Sequence, residues 1–164
     1  STQAKTLFPY TTLFRSHKFE IRGKHYGVPD PEFTDPGWEV LDEKKYRLNQ
    51  LLAEGDTCDY LYDFGDSWMH HITVEAIKDV KPSPSDDGFA WVEAGERACP
   101  PDDAGGSGGY QAFLDQLEDD PYGDETKSFQ EWAGLDFDPE RFDRQAVNAT
   151  ISRMLWNRWI KIGP

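Results

Sequence analysis

Residues 58–77 read CDYLYDFGDSWMHHITVEAI and carry the strongest local signal in the chain. Aromatic residues lie on both sides of the short loop Gly65-Asp66-Ser67, and β-branched residues follow in the second segment. This arrangement predicts a β-hairpin, because glycine supplies the backbone conformations that a tight connection between two strands needs.

The alternation in the second strand of this hairpin predicts which side chains are buried. Side chains at every second position point to the same face of a strand. His70 shares its face with Ile72 and Val74, whose apolar side chains favour the core, whereas His71 lies on the opposite face. We therefore expect His70 to be buried under the sheet, with its ring nitrogens hydrogen-bonded by neighbouring groups.

Outward from the hairpin, the first half of the chain favours strands and the second half favours helices. Residues 17–28 predict another hairpin, and the leucines of 48–52 fit one helical turn. Two prolines and four glycines in 99–109 predict a loop without regular structure. Helical periodicity begins at Tyr110 and recurs up to residue 155. We expect an α+β fold, with an antiparallel sheet in the first half packed against helices of the second half.

Composition narrows the classes of partner. The chain has 164 residues and a formal net charge of -14, and such a field repels nucleic-acid phosphates and anionic membranes. No apolar run approaches the roughly 20 residues of a membrane span. The two cysteines, Cys58 and Cys99, form no CxxC motif, which argues against a disulfide scaffold or a zinc ribbon. We expect a cytoplasmic protein that binds neither membranes nor, directly, nucleic acid.

The string Thr6–Ser16, TLFPYTTLFRS, matches the conceptual translation of a widely used sequencing adapter. The alternative is a genuine strand, since several of its residues are apolar. We expect residues 1–16 to be a non-native segment, 17–155 to form a single domain and 156–164 to be a C-terminal tail. Natural sequence would then begin near His17. Resequencing the locus tests this prediction, and an intact genomic match to the string would contradict it.

Polar residues near the hairpin tip are the first candidates for chemistry. Carboxylates and a histidine at this spacing could bind a divalent metal or transfer protons, which makes Asp63, Asp66 and His70 candidate catalytic residues. Spacing alone does not define a site, and an aspartate beside Gly65 is ordinary turn chemistry. We therefore favour a structural role for these residues, and we expect neither a bound metal nor a cofactor.

The glycine-rich loop and an aromatic string supply further candidates. Asp102 and Asp103 could coordinate a hard cation, although a rigid loop that positions the following helix explains them as well. Trp132 lies in an aromatic and acidic stretch and is a candidate binding residue, with core packing as the alternative. Cys99 would need a neighbouring base and a lowered pKa to act as a nucleophile, and the sequence shows neither.

Three strings in this order resemble one known family: YDFGDSWMHHITVE at 62–75, RACPPDDAGGSGGY at 97–110 and EWAGLDFDPERFD at 131–143. They are similar to the plasmid Ri ORF-three-like family, which is also labelled the TnpR-type passenger protein of an insertion-sequence element. The resemblance covers about residues 17–150. It implies an α+β fold, an uncharacterised biochemical role and a link to mobile elements.

Two departures from the family pattern affect these expectations. Members often have a second cysteine where this chain has Ala104, which weakens a paired or metal-binding role for Cys99. Members also begin with a strand and a helix ahead of the segment that matches His17, where this chain has the adapter-like string. The resemblance therefore implies a sheet that lacks a strand and an apolar face that lacks its cover.

We rank three functions on these observations. The first is a non-catalytic binding or accessory module, whose partner would be a protein of unknown identity. The second is a metal-assisted hydrolase or nuclease that uses the hairpin carboxylates and His70. The third is a DNA-binding accessory of a mobile element, which would need a local basic patch around Arg153, Arg158 and Lys161.

Overall fold

The computed structural model describes residues 17–29, 39–78, 90–134 and 136–156. In chain order, the described elements are β1 (His17–Ile21), β2 (Lys24–Gly27), β3 (Val40–Asp42), a 3-10 helix (Glu43–Lys45), α1 (Leu48–Leu51), β4 (Thr57–Tyr62), β5 (Trp68–Thr73), α2 (Gly106–Asp119), α3 (Asp124–Ala133) and α4 (Arg144–Trp156). Strands fill the first half and helices dominate the second, so the predicted α+β class is confirmed. The adapter-like string and the tail beyond Trp156 lie outside the described residues.

The described residues divide into two compact units. The first contains the described residues up to Lys78 together with Asp103–Gly109, and the second contains the remaining described residues. The boundary falls within α2, whose first four residues belong to the first unit. The domain limits expected from the sequence stay predictions.

The first unit contains one five-stranded sheet, in the order β3-β2-β1-β4-β5. The two predicted hairpins are present as the antiparallel pairs β1–β2 and β4–β5, and β1 also pairs antiparallel with β4. β3 departs from the expected antiparallel pattern, because it runs parallel to β2 with Leu41 beside Tyr26. A parallel pair needs a connection of about a dozen or more residues, and Gly27 and Val40 are far enough apart in the sequence to allow one. A strand of three residues is too short to show a readable alternation.

The core of the first unit lies on one face of this sheet. Ile21, Tyr26, Leu52 and Cys58 form its buried cluster. Partly buried apolar side chains surround the cluster, and they are those of Phe19, Leu41, Leu51 and Val74. The cluster thus draws on β1, β2, β4 and the residue after α1, and it leaves β5 at its margin.

β5 is exposed along almost its whole length. Met69 is 52% exposed and Ile72 is 37% exposed, and His70, His71 and Thr73 are exposed as well. The predicted alternation is correct in one respect, since Ile72 lies opposite the buried Cys58. The expectation that His70 is tucked under the sheet is wrong. The physical reason is that β5 is one of the two edge strands of the described sheet and lies away from the centre of the buried cluster.

The second unit is held together by aromatic stacking and by buried polar side chains. The rings of Phe113 and Phe129 stack with their centroids 3.5 Å apart and connect α2 to α3. Thr126 is fully buried, and its hydroxyl donates to the carbonyl oxygen of Asp120. Buried Asn148 of α4 accepts a hydrogen bond from the N–H of Val92 and donates one to its carbonyl oxygen, both at 2.9 Å.

The start of α2 differs from the sequence prediction. Residues 99–109 were expected to be loop throughout, but the helix begins at Gly106 and the N–H of Gly109 donates to the carbonyl oxygen of Gly105 at 3.1 Å. A Cβ at Gly109 would collide with the carbonyl oxygen of Ala104. The glycines therefore permit a close backbone approach in the first helical turn, which a reading of glycine as a helix breaker misses.

Candidate functional site

Asp63 defines the shape of the β4–β5 hairpin tip. Its carboxylate oxygen Oδ1 accepts the N–H of Gly65 at 2.9 Å, and its backbone carbonyl accepts the N–H of Ser67. Asp63 and Ser67 both have left-handed backbone conformations, with φ of 53° and 55°. Aspartate tolerates this conformation when its side chain bonds to the backbone two residues on. Asp63 therefore has a structural role in the hairpin turn.

Asp66 joins the hairpin tip to the glycine-rich loop within the first unit. Its backbone carbonyl oxygen lies against Gly106, where it would collide with any Cβ. The residue is half-buried, and its carboxylate oxygen Oδ2 is buried without a hydrogen-bond partner. Two of the three strings that carry the family resemblance therefore meet at this contact.

Backbone conformation is also unusual in the glycine-rich loop that precedes α2. Asp103, Gly105 and Gly106 have φ of 60°, 77° and 67°, all in the left-handed region. A left-handed conformation reduces stability when the residue is not glycine, and such conformations concentrate at functional or tightly constrained sites. Asp103 is exposed and belongs to the first unit, whereas the equally exposed Asp102 belongs to the second.

His70 lies on the open strand β5. Its ring centroid is 5.7 Å from that of Tyr60, its register partner on β4. Its neighbour His71 contacts Asp59, with Nδ1 and Oδ1 2.5 Å apart, on an exposed surface. Within the ranges that the structure describes, no three His, Cys, Asp or Glu side chains converge in a way that could hold a metal ion. The geometry therefore lends no support to a metal-assisted reaction at the hairpin.

Sequence reasoning missed a partly buried histidine–glutamate pair. His17 Nε2 lies 2.9 Å from Glu43 Oε2, the His17 side chain is only 9% exposed, and its Nδ1 is buried without a hydrogen-bond partner. Burial, followed by the charge of Glu43, raises the pKa of Tyr60, whose ring centroid is 6.0 Å from that of His17. Alternation places His17 and Phe19 on one face, but Glu43 arrives through a tertiary contact that no local pattern reveals.

Cys99 has the wrong electrostatics for a nucleophile. The residue as a whole is exposed, yet nearby protein atoms desolvate its sulfur, and this desolvation raises the pKa of the thiol. The charge of Asp102 raises that pKa further. A reactive cysteine needs the opposite shift, because the thiolate is the nucleophile.

Trp132 of α3 is the remaining candidate from the sequence. Its side chain is 50% exposed and packs edge-to-face against Phe129, with ring centroids 5.0 Å apart. One side of the indole thus contributes to packing and the other faces solvent. A binding role for Trp132, Asp102 or Asp103 stays a prediction.

The described helices do not include one with the length and apolar character needed to cross a bilayer.

Comparison with known proteins agrees with the motif pattern. The chain is 34% identical over 140 residues to the uncharacterized protein y4hQ of Sinorhizobium fredii (strain NBRC 101917 / NGR234), across 82% of this chain and 67% of that protein. It is also similar to the crystal structure of MM3350, a protein of unknown function from Methanosarcina mazei Go1. That similarity has a TM-score of 0.60 and 30% sequence identity, and it covers 79% of this chain and 71% of the other.

A family model described as plasmid pRiA4b ORF-3-like protein matches residues 8–146. The matched range includes part of the adapter-like string, and the origin of that string stays a prediction. Together with the fold and the motif order, the match shows that this chain belongs to the plasmid pRiA4b ORF-3-like protein family.

Proposed function

We propose that this chain is a non-catalytic protein-binding domain whose binding surface is the outer edge of β5. The observation that carries this proposal is the pairing of β5. Among the described strands, β4 pairs with β5 on one side, and none pairs with it on the other. A sheet edge presents backbone donors and acceptors in a row, which is a template for an added strand.

The composition of β5 supports the same conclusion. Proteins usually protect an edge strand with lysine, proline or a bulge. β5 reads WMHHIT and contains neither lysine nor proline, and its register with β4 is continuous from Trp68 to Thr73. Residues 69–73 are exposed, so an extended segment of a partner could reach their backbone groups. Alternate side chains of β5 would then contribute specificity.

The candidate catalytic groups favour binding over hydrolysis. Asp63 is engaged in the hairpin turn, and the raised pKa of Cys99 disfavours its thiolate. A general acid or base must lie within hydrogen-bond reach of a reacting group, in company with other functional side chains. His70, on the exposed strand β5, has Tyr60 as its aromatic neighbour.

We also propose that the domain acts in the cytoplasm and that it serves a mobile element, the second of these being what the family resemblance implies. The net charge of -14 disfavours a direct contact with DNA phosphates, so any action on a mobile element would pass through a protein partner. A retarded band for the whole chain on random duplex DNA at low salt would contradict this part of the proposal.

Hydrogen–deuterium exchange tests the binding surface. The probes are three short extended peptides in which valine alternates with lysine, threonine or glutamate. We expect at least one of them to slow amide exchange in residues 69–73. The matched control is the same peptide with alternate backbone nitrogens methylated, since it keeps its side chains but cannot form the strand ladder. Unchanged exchange in β5 with all three peptides would refute the proposal.

A further inference from the structure

We infer that the β5 edge is selective for a basic, lysine- or arginine-containing extended segment of a partner protein. This inference rests on the proposed function and adds the chemistry of the partner. The charge of the hairpin to which the edge belongs supports it.

Residues 56–77 contain five acidic residues and no lysine or arginine. The acidic residues are Asp56, Asp59, Asp63, Asp66 and Glu75. In the chain as a whole, 17 basic residues accompany 31 acidic ones, so a stretch of this length without one basic residue is a local excess of negative charge. None of the five lies within β5 itself. A partner strand that adds to β5 would therefore meet this charge near the ends of β5, and from Asp59 on the strand behind it.

Two of these carboxylates, those of Asp59 and Glu75, lie on the exposed surface near β5. Asp59 lies on β4 directly opposite His71, and its side chain is 42% exposed. Glu75 is exposed just beyond the end of β5. Asp56, by contrast, is paired with Arg22 at 2.7 Å, and one carboxylate oxygen of Asp59 contacts the ring of His71. An added strand would neighbour β5 and not β4, so these carboxylates would attract its basic side chains across a longer distance than that of a directly opposed pair.

The same charge argues against a second copy of this chain as the occupant. Antiparallel pairing of β5 with β5 of another copy would bring together two hairpins with five acidic residues each. The repulsion between these acidic residues opposes association of two copies, whereas the same acidic residues attract a basic segment. The charge therefore distinguishes between two occupants that the backbone geometry alone would accept equally.

Fluorescence anisotropy with the three labelled alternating peptides tests the inference. We expect affinity to fall in the order lysine, threonine, glutamate, with about tenfold between the first and the last at low salt. High salt should reduce this ratio, since exposed charges are screened. The order of affinities, and not the affinity of one peptide, is the decisive result.

A pair of matched double variants locates the effect. Asp59→Asn with Glu75→Gln should weaken binding of the lysine peptide about threefold and leave the threonine peptide unaffected. Glu118→Gln with Asp119→Asn removes the same charge from exposed positions of α2 and should change neither affinity. Circular dichroism of both variants checks that they are folded.

The outcomes separate the inference from the proposed function. Equal affinity for all three peptides would overturn charge selection while the edge remained a binding surface. Failure of every peptide to bind would overturn both. A dimer in analytical ultracentrifugation that the lysine peptide cannot dissociate would make a second copy the occupant and overturn the inference. The longer Sinorhizobium fredii relative offers a further check. If the segment that corresponds to residues 69–73 is protected from exchange in the free relative, its own chain covers the edge, and the inference is overturned.

Discussion

The backbone carbonyl oxygen of Asp66 occupies the space that a side chain at position 106 would need. Gly106 also has φ of 67°, so its conformation and its surroundings both require glycine. The contact joins the tip of the β4–β5 hairpin to the first turn of α2, and it connects two segments that lie far apart in the sequence.

Gly106→Ala tests this contact. The added methyl group must displace the hairpin tip and adopt an unfavourable φ, so we expect the free energy of unfolding to fall by about 1–3 kcal/mol. Gly108→Ala is the matched control in the same helical turn, because a Cβ there meets nothing within 4 Å. It should be neutral or stabilising by up to about 1 kcal/mol. Urea denaturation measures both, and equal effects would contradict the contact.

Asn148 is expected to be a major stabilising residue of the second unit. Asn148→Leu removes two hydrogen bonds and leaves the N–H and carbonyl of Val92 without these partners. We expect a loss of about 2–4 kcal/mol in the free energy of unfolding. Gln145→Ala, on an exposed position of the same helix, should change it by less than about 0.5 kcal/mol. An equally small effect for Asn148→Leu would show that the two hydrogen bonds between Asn148 and Val92 do not stabilise the fold.

Asp143 makes the stability of α4 depend on pH. Its pKa lies below the ordinary value of 3.8, first because its carboxylate accepts the N–H of Ala146 and then because of the nearby Arg141. A carboxyl group with a lowered pKa in the folded state stabilises above its ordinary pKa, and this contribution disappears as the pH falls through the lowered value. Asp143→Ala should therefore reduce the urea midpoint at pH near 7 and have no effect in strong acid.

The control for this prediction is Glu118→Gln on the exposed end of α2. It removes one carboxylate without removing a cap, and its midpoint should stay close to that of the unmodified protein at neutral pH. A difference between Asp143→Ala and the unmodified protein that persists unchanged in strong acid would mean that the carboxylate is not the source of the stabilisation.

Cys99 should be slow to alkylate. Desolvation of its sulfur, followed by the charge of Asp102, raises the pKa of the thiol, so little thiolate is present near neutral pH. We expect iodoacetamide to modify Cys99 more slowly than free cysteine, with the rate followed by mass spectrometry of the 97–110 peptide. Asp102→Asn should increase the rate, because it removes one cause of the shift. A rate above that of free cysteine would contradict the assignment.

The sequence was a good guide wherever a feature depends on neighbours along the chain. Turn chemistry around Gly65 predicted the hairpin that the structure has as β4 and β5. The cap at Asp143 was also predictable, since its partner Ala146 is three residues away. Motif order alone indicated the family, which the match over residues 8–146 confirms.

Features that depend on distant residues were not predictable in this way. The alternation around His70 indicated its face but not its exposure, because burial depends on what lies over the strand. The pairing of His17 with Glu43 and the collision that keeps position 106 a glycine both need chain segments brought together by folding. Local propensity and motif order therefore determined the elements and the family. Only the tertiary structure decided that β3 and β5 form the two edges of the described sheet, because edge position is a property of neighbours in space.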